Sequence, residues 1–241
     1  MLREHTHSDD PVLRRRTHEI VNYFDRQAAD TQLLAFCLNQ GEDFDLEQSV
    51  LLLARTQYPE INAEAYSALL DDYAGDLRDR LDLNGEPGQI LRIINDFLFH
   101  ELRFTGDEHN FYDPDNSYFN MVMDRRTGNP VSLSLVYLLL ARRLRLPMTG
   151  IGLSGHFLCR YQSSRAEIFV DAFRGGLLLS KADCVKHVVR LRQRFDESCL
   201  VPVSSRRILL RICATLHQIY TQQKSPEQVE RLQRYLVALA K

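Results

Sequence analysis

The residues of this chain whose types could do chemistry together are Ser132, His156 and Asp171. A serine hydroxyl attacks only when a base removes its proton, and a histidine base works best when a carboxylate fixes its tautomer and steadies the imidazolium. His156 opens one strand-like run, 156–162, Asp171 lies in a second, 166–173, and Ser163-Ser164 falls between them. An even-length loop centred on those serines pairs Gln162 with Arg165 and sets His156 directly opposite Asp171. The two side chains then share one sheet face, with Cβ atoms about 4.5–5.5 Å apart. A slip of one residue would separate them onto opposite faces. Ser132 completes a nucleophile, base and orienter if the helix that carries it points its first turn at these strands. Backbone N–H groups at that helix start would stabilise an oxyanion, so the chemistry spelled out is amide hydrolysis or acyl transfer.

The element that must place Ser132 is the stretch 128–147, the most apolar in the chain. Its apolar residues fall on every side of a helix, which marks a buried one. Asn129 suits the N-cap and Pro130 the first helical position, Arg142, Arg143 and Arg145 suit the C-terminal end of the dipole, and Pro147 stops it. Ser132 then sits in the first turn, where it can equally cap free backbone N–H groups. Strands are expected at 148–153, 156–162 and 166–173. Before them the period is helical: Asp30 can cap a short helix after a frayed arm at 1–13, Asp45 caps 46–57, and further helices cover 63–81 and 90–102. Residues 104–120, rich in turn formers and aromatics, read as an irregular ordered cover over the core. After the strands, 181–194 and 206–223 read as helices, and Ser225 starts a capping box for a last one reaching Leu239. The expected fold class is α+β: residues 1–102 a helical layer, 103–180 an α+β core with a buried helix on a small antiparallel sheet, and 181–241 C-terminal helices ending in a single hairpin.

Composition excludes several classes. Thirty Lys and Arg against 32 Asp and Glu give a net charge of −2, and no wide basic face marks a nucleic-acid partner. No apolar run is long enough to cross a bilayer, and the N-terminus lacks the apolar segment of a secretory signal, so neither membrane nor export is expected. The five cysteines are an odd number, widely spaced, and fit a reduced cytoplasmic protein. No zinc-type spacing occurs; His5 and His7 with Asp9 and Asp10 could hold a metal only weakly, so neither metal nor cofactor is expected. Arg160, on an apolar strand, reads as a buried ion pair or a substrate clamp.

Four blocks then carry a resemblance: NPVSLSLVY from Asn129, ARRL from Ala141, GIGLSGHFLCR from Gly150 and VDAFRGG from Val170. Together they resemble the SirB-type transglutaminase-like family over roughly residues 85–180. The C-terminal helices are similar to a segment where relatives often carry tetratricopeptide-type repeats. The resemblance implies a transglutaminase/papain-like core in which a cysteine at a helix start works with a histidine and an aspartate on neighbouring strands. His156 and Asp171 match the last two positions; Ser132 stands where active enzymes have cysteine, and Ser154 replaces the proline of the usual Pro-Gly-His-Phe. A thiol of pKa about 8.5 is readily driven to thiolate by a helix N-terminus and an adjacent imidazolium, whereas a hydroxyl is not. The expectation is therefore a transglutaminase-like protein without its nucleophile, a regulatory module that binds a peptide or protein, with Asn129, Gly155 and Arg160 as candidate binding residues. The alternative is an amide hydrolase or acyl transferase using Ser132, His156 and Asp171. No feature specifies an oligomeric state.

Overall fold

The computed structural model of the chain describes Thr6, residues 9–190 and residues 194–241. His5 and His7, and the end of the helix expected to reach residue 194, fall wholly or partly outside these described residues. The fold is α+β, as expected. Helix α1 (Pro11–Asn39) leads into α2 (Leu46–Arg55), α3 (Ala63–Arg78) and α4 (Pro87–Asn95), which runs on as a π turn, Asp96–Glu101. Asp45 and Asn62 cap α2 and α3 through their side-chain oxygens. The expected frayed arm and short helix after Asp30 are corrected: one helix starts at Pro11, with Asp10 Oδ1 accepting from the Val12 N–H at 2.9 Å. Asp30 lies inside that helix, buried, and accepts from Tyr235 and from Arg234 Nη2. Satisfied by another helix, its carboxylate has no need of a cap position.

Next come the two-residue strand β1 (Thr105–Gly106), helix α5 (Phe119–Arg125) and strand β2 (Thr127–Gly128), which pairs in parallel with β1. Helix α6 (Pro130–Arg143) is the core element. Leu133, Leu135, Val136, Tyr137, Leu139 and Leu140 are each no more than 2 % exposed, so three sides of the helix are covered. Four strands follow, β3 (Met148–Leu153), β4 (His156–Gln162), β5 (Glu167–Asp171) and β6 (Leu177–Leu179), forming one antiparallel sheet in chain order. Then α7 (Lys181–Arg190), α8 (Ser205–Gln222) and α9 (Pro226–Leu239) close the chain. Ser204 caps α8 by accepting from the Arg207 N–H, but Ser225 makes no side-chain cap bond, so the expected capping box is absent there.

The sheet divides two cores by strand alternation. Phe157, Cys159, Tyr161 and Val170 face α6 in the main core. Leu158 and Phe169 face the other way, into a smaller core with Cys184 and Val188 of α7. His156 and Asp171 share the parity of Leu158 and Phe169, and therefore belong on the α7 side.

Candidate functional site

His156 Nε2 and Asp171 Oδ2 are 2.8 Å apart. Asp171 is fully buried and His156 is 8 % exposed. The strand register that joins them is not the one the sequence suggested. Gln162 pairs with Glu167 and Cys159 with Val170, so the hairpin loop holds four residues and every partner moves by two. The cause is local: the Ser163 hydroxyl accepts from the Arg165 and Ala166 N–H groups, both at 3.2 Å, and the Ser163 N–H donates to the Ala166 carbonyl. A serine side chain that builds a turn of its own takes two more residues out of the ladder. A shift of two preserves the face, so His156 and Asp171 meet on a diagonal within reach of long side chains. Asp171 Oδ1 also accepts from the Arg174 N–H at 3.2 Å, which pins the carboxylate at the strand end.

In a neutral His156 ring, an Nε2–H donated to the carboxylate leaves the lone pair on Nδ1. Around the ring stand Phe173, edge-on at 6.3 Å between centroids, and His187 of α7 at 5.5 Å. The Nε2 atom of His187 is buried and without a hydrogen-bond partner. Burial, and after it the neighbouring His156, holds the His187 pKa below its ordinary value. The other charges acting on it are Arg174, Asp171 and Arg190. An imidazole whose folded pKa is depressed takes up its proton more readily in the unfolded chain. Stability should therefore fall as pH drops through about 6.5 toward the lower folded value. Denaturation midpoints compared between about pH 7 and pH 5 should show this slope reduced in His187→Gln; an unchanged slope would assign it to other groups.

Ser132 has different company. Its hydroxyl donates to the Asn116 carbonyl at 2.6 Å and accepts from the Asn129 N–H at 2.9 Å. Asn129 Oδ1 in turn accepts from the Val131 and Ser132 N–H groups, at 2.9 and 3.0 Å. This is a reciprocal capping box in which both partners are buried. Asn129 Nδ2 donates to Ser117 Oγ at 2.8 Å. Gly128 is required by the same packing, since a Cβ there would lie 2.5 Å from Ser132 Oγ. The segment 104–120 thus lies over the α6 N-terminus and supplies the carbonyl that Ser132 binds.

No cysteine offers a ready substitute. Cys159 Sγ lies 3.5 Å from the Ser134 carbonyl, on the α6 side of the sheet. Burial pushes its thiol up to about 12, and those of Cys37 and Cys184 up to about 11. All five cysteines are free. Among the described residues no cluster of His, Cys, Asp and Glu could hold a metal ion, and no helix is long and apolar enough to cross a membrane.

Arg160 donates to the Leu200 carbonyl at 3.1 Å and pairs with Glu167 at 3.5 Å. Gly155, at φ +68°, occupies the left-handed region that glycine enters without strain. It also lines a cavity of about 230 Å³ with Phe111, Tyr112, Pro130, Val131, Arg211 and Thr215. Arg211 and His187 were missed by sequence reasoning. Each sits among apolar residues of an amphipathic helix, and a charged or titratable side chain on such a face was the available signal.

Residues 64–214 of the chain match the transglutaminase-like superfamily. A UPF0162 protein of Xylella fastidiosa strain 9a5c is 34 % identical over 186 residues, which is 74 % of this chain and 66 % of that relative. A UPF0162 protein of Pseudomonas aeruginosa is 29 % identical over 161 residues, 66 % of this chain and 57 % of its own. Human F-box only protein 21 is 36 % identical over 104 residues, 40 % of this chain but 17 % of that protein. The chain spans somewhat less than two thirds of the UPF0162 relatives' length. No solved structure matches. A family match across more than half of the sequence, on an α+β fold with a buried central helix against an antiparallel sheet, settles the affiliation: the chain belongs to the transglutaminase-like superfamily.

Proposed function

We propose that this chain is a transglutaminase-like module that binds a peptide or protein segment in the cleft between Phe111–Tyr112, the α6 start and α8, and that Ser132 is not a nucleophile. The observation that supports this is the Ser132 hydroxyl itself. Its one proton goes to the Asn116 carbonyl and a lone pair goes to the Asn129 N–H. Attack on an acyl carbon would require it to leave both partners at a site with 0 % exposure. The small share of F-box only protein 21 that matches suits a domain used as one part of a larger protein. The five free thiols suit a reducing compartment such as the cytoplasm.

The His156–Asp171 pair favours a second reading, an amide hydrolase or acyl transferase with Ser132, His156 and Asp171 as its triad. A fluorophosphonate probe separates the two. The wild-type chain should remain unlabelled; labelling that vanishes in Ser132→Ala would overturn the non-catalytic reading and establish the triad. As a cap, Ser132→Ala should instead cost about 1–3 kcal/mol in urea denaturation, because it orphans a buried carbonyl and a buried N–H. Binding is tested with an immobilised peptide library. Selected peptides should lose binding to Thr215→Trp, which fills the cleft from α8; a library that enriches nothing over an unrelated folded control would sink the binding reading.

A further inference from the structure

We infer that Arg211 makes the cleft beside His156 a carboxylate-binding subsite, which receives a carboxylate of the peptide segment next to an apolar side chain. The inference deepens the peptide-binding reading above by naming the chemistry that the cleft selects.

Arg211 projects from α8 to the mouth of the β3–β4 turn. Its Nη2 donates to the Leu153 carbonyl at 2.9 Å and to the His156 carbonyl at 2.8 Å. Its Cζ stands 5.5 Å from the Phe157 ring centroid. These contacts fix the plane of the guanidinium but neutralise none of its charge. Burial alone acts on Arg211 and pulls its pKa below the ordinary guanidinium value; no carboxylate among the described residues offsets that. Arg143 has Glu47 and Asp71, and Arg160 has Glu167, whereas the buried Arg206 and Arg231 meet uncharged oxygens as Arg211 does, but do not line this cavity. A guanidinium stays protonated in any such setting, so a partly buried one without an anion leaves a positive potential in its cavity.

The rest of the cavity agrees in sign and shape. Its lining residues include no other charged side chain. Asn129, Pro130 and Val131 bring the N-terminal end of α6 to it, where the dipole favours an anion. Phe111 and Tyr112 also line it, edge-on to one another at 5.4 Å, with Tyr112 55 % exposed. Nη1 and Nε of Arg211 have no partner among the hydrogen bonds of the described residues, which leaves single N–H groups, each able to give one charge-assisted hydrogen bond to an anion. The cavity is too small for a folded element but holds one anionic group and one apolar side chain. Through Gly155 it adjoins His156, and Phe111 touches Phe173 at 6.1 Å between ring centroids, the same ring that flanks His156. A segment anchored by its carboxylate at Arg211 would therefore run past the His156 ring.

The probes are three small molecules: N-acetyl-phenylalanine, with a chain-end carboxylate; N-acetyl-phenylalanyl-glutamic acid α-amide, with only a side-chain carboxylate; and neutral N-acetyl-phenylalaninamide. Binding to the full chain is followed by the arginine Nε–H signals in proton–nitrogen NMR, with the Arg211 signal assigned by its loss in Arg211→Lys. At least one acid should bind about tenfold or more tightly than the neutral amide and move the Arg211 signal. Which acid does so tells a chain end from an acidic side chain. Arg211→Gln should abolish the difference. Because Arg211 also ties two backbone carbonyls, Thr215→Trp serves as a second variant that blocks the cavity and leaves the guanidinium in place; it too should abolish it. Equal binding of acids and amide, or an acid preference that survives both variants, overturns the subsite. Peptides selected without any carboxylate requirement would remove the subsite and keep the binding cleft. Acid preference with no peptide selected would keep the subsite and remove the peptide-binding reading.

Discussion

Arg206→Ala should lower the stability of this protein more than any other exchange of a single charged residue outside the sheet, by about 3–5 kcal/mol in urea denaturation. Arg206 lies in the first turn of α8 and is only 7 % exposed. Its Nε donates to the Leu239 carbonyl at 2.9 Å and its Nη2 to that of Ala238. Its Nη1 donates to the carbonyls of Cys37 and Gln40, at 3.0 and 3.1 Å. One guanidinium therefore closes the C-terminal ends of α1 and α9, where the last carbonyls have no partner within their helices and the dipoles are negative. Truncation leaves four oxygens facing a void that water enters poorly. Lysine keeps the charge but replaces a planar fork by a point donor, so Arg206→Lys should cost less, about 1–3 kcal/mol. Amide exchange should quicken in α1 near Cys37 and in the last turn of α9 together. A loss below about 1 kcal/mol for Arg206→Ala would mean that these carbonyls find water readily and that the arginine is no tie between the helices.

What the sequence displayed of this architecture depended on whether each feature was local. Helix α6 was legible because apolar residues on every side of it have only one use, and Asn129-Pro130 marks its start in chemistry that acts within four residues. The β3–β4 and β4–β5 pairs were legible from alternation. The β4–β5 register was not, because it turned on a single hydroxyl, Ser163, that bonds two backbone N–H groups instead of leaving a tight two-residue turn. The length of α1 escaped for the opposite reason. Val12, Leu13, Ile20, Tyr23 and Phe24 in its first half are all more than 40 % exposed. With no apolar stripe turned to a core, periodicity carries no signal there. Asp10 before Pro11 was the one local sign of a start. At the site, His156 and Asp171 were found by parity, which survives a shift of two. The Ser132 partner Asn116 sits 16 residues away in an irregular segment, and no spacing rule reaches it. Strands β1 and β2 have two residues each, below the length at which alternation can be read.

The second large effect belongs to Asp171. Asp171→Ala should cost about 2–4 kcal/mol, since it strips the acceptor from the His156 Nε2–H and from the Arg174 N–H in a fully buried position. Asp171→Asn separates shape from charge. The amide oxygen can still accept from Arg174, but only by turning its NH₂ group toward His156. Nε2 must then become the acceptor, and the ring proton moves to Nδ1. The imidazole nitrogen shifts read this directly. In the wild type the protonated nitrogen should be Nε2 and the free lone pair should be on Nδ1; in Asp171→Asn the two should exchange, at a stability cost of about 1–2 kcal/mol. A wild-type ring already protonated at Nδ1 would contradict the orienting role of the carboxylate. This matters beyond stability, because the tautomer decides what the nitrogen not bound to Asp171 offers a bound segment. With Asp171 in place, a neutral ring offers Nδ1 as an acceptor, which would suit a backbone N–H of a bound segment; with asparagine it offers a donor, which would suit a carbonyl. A peptide that binds the wild type through that N–H should therefore bind Asp171→Asn about tenfold or more weakly, even at temperatures where both proteins are fully folded.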